Sequence, residues 1–101
     1  MDAIAIVRTT LTGDTDTELA FSKAIHNISF ALITASVTNS VYIKPRTALT
    51  GANAAAWVTD TAAYVLTANV KTADFYFEAG VTSIHIGSAS AEEVQWHISA
   101  R

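Results

Sequence analysis

The last third of the chain alternates between apolar and polar residues. Phe75, Phe77, Ile84, Ile86, Val94, Trp96 and Ile98 take every second position in three short runs that turn-forming residues separate. Successive strand side chains point to opposite faces, so this period is that of half-buried antiparallel strands and excludes an amphipathic helix. The spacing predicts a hairpin of 75–79 with 83–87 across Gly80-Val81-Thr82, and a second of 83–87 with 93–99 across 88–92. In the second, Ile86 would face Val94 and Ile84 would face Trp96, with His85, Gln95 and His97 on the reverse side.

The same reading extends upstream. Residues 3–11 form a first strand with Ile4 and Ile6 on one face, ending in the turn Thr12-Gly13-Asp14-Thr15-Asp16. Leu19, Phe21 and Ile25 alternate in one phase, and Ile28, Phe30 and Leu32 in the other. This predicts two strands with a turn or bulge near 23–27, or one long bent strand. Residues 41–43 make a short strand stopped by Lys44-Pro45. In 54–70 the alanines favour helix, whereas Trp57, Val58, Thr59, Tyr64 and Val65 favour strand, and two strands around Thr59-Asp60-Thr61 are the expectation. The sum is an all-β fold: one domain over 1–101, an antiparallel β-sandwich or flattened barrel of about eight short strands.

Composition limits the partners. Only 15% of the 101 residues are charged, against a typical share of about 25%. Ala and Thr supply about a third of the chain. A surface so sparsely charged is either dressed with small polar residues or buried against another subunit. Net charge is −3, and the six Lys and Arg are scattered, which argues against nucleic acid. The chain has no cysteine, hence no disulfide. No basic leader opens it and no apolar run approaches membrane-spanning length, so neither a signal peptide nor a membrane partner is expected.

Catalytic chemistry finds little footing. His85 and His97, with Glu78, offer two imidazoles and a carboxylate for a metal, but surface or interface histidines are the simpler reading. Asp14, Asp16 and Glu18 resemble a calcium loop without the EF-hand order and fit a solvated acidic turn. Neither a G-x-S-x-G elbow nor a phosphate-binding glycine loop is present, so no enzyme activity and no cofactor are expected. Tyr42, Trp57 and Tyr76 fall out of phase with their aliphatic neighbours. They are candidates for a subunit interface, with core packing as the alternative, and Ile4 and Ile6 join them because an apolar first strand makes a hazardous free edge. Trp57 beside the Asn53 turn is also the place where a sugar ring would stack.

The stretch Thr67-Ala68-Asn69-Val70-Lys71-Thr72-Ala73-Asp74-Phe75-Tyr76-Phe77-Glu78-Ala79-Gly80, with 83–87, resembles the small accessory proteins of tailed bacteriophage particles, particularly capsid cement or decoration proteins. The resemblance is one of style and covers the whole chain. It implies a homo-oligomer, a trimer or similar ring, seated on a major capsid protein in the virion after synthesis in the host cytoplasm. A glycan- or receptor-binding β-sandwich of a phage tail is the alternative.

Overall fold

The computed structural model describes residues 3–33, 40–67 and 72–100, and the side chains of Ile4 and Ile6 lie outside the described residues. Six strands and one short helix follow in order: β1 (Ala3–Leu11), β2 (Thr17–Leu32), β3 (Val41–Pro45), α1 (Ala54–Trp57), β4 (Tyr64–Leu66), β5 (Thr72–Ser88) and β6 (Glu92–Ser99). Among the described residues they form one antiparallel sheet in the order β1-β6-β2-β5-β3-β4. The sheet rolls into a flattened, incompletely closed barrel around a core that includes Ile28, Phe30, Ile84, Ile86, Val94, Trp96 and Ile98.

The all-β expectation therefore holds with six strands in place of eight. The reduction comes from β2 and β5, each of which absorbs two of the expected segments, and from 54–70, where one strand replaces the two expected. Thr17–Ala20 pairs with Ile86–Ser83, and Asn27–Ala31 with Tyr76–Thr72. Between these ladders both strands bulge, meeting only at Ile25 and Val81, and each advances by the same number of residues. A bulge reverses which parity faces inward. Leu19 and Phe21 accordingly give way to Ile28 and Phe30 on β2, just as Phe75 and Phe77 give way to Ile84 and Ile86 on β5. Gly80, expected in a hairpin turn, instead has a φ of +77° at this corner. Side chains satisfy carbonyls that the broken ladder frees: His26 Nδ1–H donates to Phe77 O (2.9 Å) and Arg46 to Gly80 O (3.1 Å).

The second expected hairpin does not form. β6 lies between β1 and β2, with Trp96 opposite both Val7 and Phe30, so Ile84 and Trp96 are not ladder partners. Inward parity was read correctly for β5 and β6, but several partners satisfy the same parity. The 54–70 expectation also fails. Its alanines supply the single turn α1, and only Tyr64–Leu66 pairs as a strand, against β3.

Closure is partial. At one end a parallel bridge joins Gly13 to Ser88, with Asp14 N–H donating to Ser88 O at 2.7 Å. Glu92 is buried there, one carboxylate oxygen accepting from Ser90 and the other without a partner among the described residues. Further along, β1 and the first half of β2 flank a cleft of about 250 Å³ lined by residues that include Val7, Leu19, Phe21 and Ile98, with no ladder across it among the described residues.

The corner makes a specific demand on Gly80. A Cβ there would sit 3.0 Å from that of Ala24, on a backbone that L residues rarely adopt. Gly80→Ala is expected to lower stability by about 1–2 kcal/mol in urea denaturation, the usual cost of a left-handed non-glycine residue.

Candidate functional site

Three aspartates organise the excursion between β3 and β4. Asp60 accepts from Lys44 Nζ (2.8 Å) and from the Thr50 and Ala62 amides. Asp16 accepts from the Leu49 amide (2.9 Å) and contacts His85 Nδ1 at 2.9 Å. Asp14, at a φ of +55°, accepts from the Ala54 amide at 3.0 Å, and Asn53 caps α1 by accepting from Ala56 N–H at 3.1 Å. These carboxylates neutralise amides that a one-turn helix and its flanking turns leave unpaired. The suspected calcium loop is thus divided among different partners, Asp14 and Asp16 each holding a separate piece of chain.

The excursion is held down to seat Trp57. The indole is 1% exposed, packs with Tyr42, Leu49 and Ala54, and donates from Nε1 to Gly51 O at 3.0 Å. It lies on the outer face of β5 over Gly87, which pairs with Tyr42 on β3. A Cβ on Gly87 would come within 2.6 Å of Trp57 Cη2. Glycine is what permits the indole to lie against the strand.

This second, smaller core corrects two of the five interface candidates. Trp57 and Tyr42, the latter 9% exposed, take the core alternative and present no platform to a subunit or a sugar; Asn53 is spent as a helix cap. Tyr76 is 58% exposed on β5. For Ile4 and Ile6 the backbone lies on β1, at the rim of the sheet. Only part of the signal for Trp57 was in the sequence: Gly87 takes an outward strand position and Tyr42 is out of phase, but the fold alone brings the two together.

The histidines do not converge. His85 shares a cross-strand row with Glu18 and Lys44, its Nε2 lying 3.4 Å from Glu18 Oε2. His97 sits two strands away on β6, opposite Ser29, and Glu78 is exposed at the corner. The second hairpin, which would have joined the histidines, is the pairing that failed. Among the described residues no group of three or more His, Asp or Glu side chains could hold a metal ion.

The outer face of the other half of the sheet carries an open groove of about 320 Å³. Two cross-strand rows build it: Ser29 and Asp74, then Ser99, Asn27 and Tyr76; His97, opposite Ser29, lies outside its lining. Ser29 Oγ donates to Asp74 Oδ1 across the strands.

The sequence matches no protein-family model and no curated protein.

Two outcomes test the seat of Trp57. Gly87→Ala is expected to expel the indole, seen as a red-shifted tryptophan emission with the strand circular dichroism retained. Lys44 and the Thr50 amide hold the Asp60 carboxyl at about 2, below its ordinary 3.8, against the opposing effect of burial. A carboxyl with a lowered folded pKa stabilises fully above its unfolded value and loses that contribution as pH falls. The Trp57 emission should therefore shift between about pH 4 and pH 2, and Asp60→Asn should abolish that pH-dependent step.

Proposed function

We propose that the chain is a structural, non-enzymatic subunit of a bacteriophage particle, of the capsid cement or decoration type, which oligomerises and stabilises a shell by added buried area. The observation that carries the reading is the open seam of the barrel. β1 is a rim strand, and the first half of β2 pairs with β5 along one edge only among the described residues. Between them Val7, Leu19, Phe21 and Ile98 line a cleft that water reaches. Unpaired strand edges flanking apolar side chains invite another chain. A second copy laying a strand into this seam would satisfy both edges and cover the cleft.

Three further features favour the reading. The resemblance to phage accessory proteins concerns composition as well as pattern. Few long charged side chains need be ordered at a contact, and ordering a Lys or Glu costs up to about 2 kcal/mol in rotamer entropy. The aspartates work as clamps on backbone amides and on Lys44, which is structural employment.

Light scattering across a dilution series tests the self-association. The expected result is a closed oligomer, a trimer or another ring, whose mass does not change with dilution. Ala20→Lys and Ser22→Lys place charge on the open, exposed edge of β2 and should yield a folded monomer. A wild-type chain that is monomeric throughout overturns assembly through the seam.

A further inference from the structure

We propose that the open groove on the outer face of β6, β2 and β5 is a binding site for a neutral carbohydrate. The site lies apart from the seam and does not depend on the assembly reading. The outer face of β5 has two fates. Over its C-terminal half the Trp57 excursion covers it; over its N-terminal half no described residue does, and there the side chains are set in rows. Antiparallel registry places Ser99, Asn27 and Tyr76 in one row and Ser29 and Asp74 in the next. Directly opposed side chains on a sheet face stand about 5 Å apart. The rows therefore offer hydrogen-bonding groups at intervals that suit alternate equatorial hydroxyls of a pyranose ring.

The chemistry of the lining selects the ligand class. Asp74 accepts from Ser29, yet a carboxylate has about four lone-pair positions and retains acceptor capacity for a pair of vicinal hydroxyls. Asn27 carries an amide, which can donate and accept, and Ser99 adds a hydroxyl. Tyr76, 58% exposed, supplies an aromatic surface with a polar tip for the C–H face of a pyranose. The lining residues include no Lys or Arg and do include an aspartate, which disfavours phosphates, nucleotides and acidic sugars. The openness to water and the polar rows disfavour an acyl chain. A volume of about 320 Å³ is at the low end for ligand pockets and suits one or two sugar rings of a chain that continues along the face.

Nuclear magnetic resonance titration of the whole chain tests the site. The probes are neutral hexasaccharides, namely β-1,4-glucan, α-1,4-glucan, β-1,4-xylan and chitin oligomers, with an oligogalacturonate as the acidic comparison. At least one neutral probe should give saturable shifts confined to the amides of 27–29, 74–76 and 97–99, and the oligogalacturonate none. Tyr76→Ala should weaken that binding by at least about tenfold, as loss of an aromatic anchor does. Asp74→Asn, which keeps the shape but weakens acceptance, should weaken it as well. Val58→Ala, an exposed change on the far side of the Trp57 loop, should leave it unaltered. Absence of saturable shifts with all four neutral probes at roughly 10 mM overturns the proposal, that being weaker than millimolar affinity. Shifts centred elsewhere, or binding indifferent to Tyr76→Ala in a variant whose spectrum is otherwise folded, overturn it equally.

Discussion

The shared corner of β2 and β5 is the constraint on which the rest of the molecule depends. Two strands of 16 and 17 residues cannot run straight through a domain of this size; they must turn. They turn together, at Ile25 opposite Val81, and resume the register they had before. Because the bulges are matched, the inward parity reverses on both strands at once and both ladders keep apolar side chains on the same side of the sheet. One unmatched bulge would bury the polar set of one arm. The corner also divides the sheet into two working halves. The first half of β2 and the second half of β5 carry β3, β4 and the Trp57 excursion, while the other arms carry β6 and β1.

That device explains how the sequence was legible in part. The phase changes between Ile25 and Ile28 and between Phe77 and Ile84 are plain in the chain, and they mark the two bulges. A phase change is also what a hairpin turn would leave, so local pattern does not distinguish a corner from a reversal. Gly80 fits both, since either needs a residue able to adopt positive φ. The choice is made by the partner strand, 51 positions away at the His26–Phe77 contact. The bounds of β1 were legible for the opposite reason, because a β-favouring run of apolar residues and threonines ends at the turn Thr12-Gly13-Asp14. The pairing of β6 was not legible: Val94, Trp96 and Ile98 satisfy any neighbour of matching parity, and sequence proximity favoured β5 over β1 and β2.

The candidate sites follow the same division. Tyr42 and Trp57 were visible as out-of-phase aromatics, but whether such residues face water or a second layer depends on what lies above them. What lies above β3 and β5 is decided by Asp14, Asp16 and Asp60, three residues that sequence reading placed in turns. Each accepts from a backbone amide of the excursion, so the excursion is tied by its polar groups as well as packed by its apolar ones. Tyr76 was visible in the same way, yet among the described residues its half of the strand has no such tether, and its ring is exposed.

The asymmetry between the halves bears on how one sheet can serve two purposes. The outer face of β6, β2 and the N-terminal half of β5 carries His97, Ser29 and Asp74 in one row and Ser99, Asn27 and Tyr76 in the next, a set that suits hydroxyl-rich ligands. The apolar cleft lies elsewhere, between β1 and β2, where strand edges and not side-chain rows meet solvent. Self-association through backbone edges and ligand recognition through face side chains draw on different groups of the same sheet. On the two proposals made above, assembly through the rim would therefore leave the outer face open to a sugar.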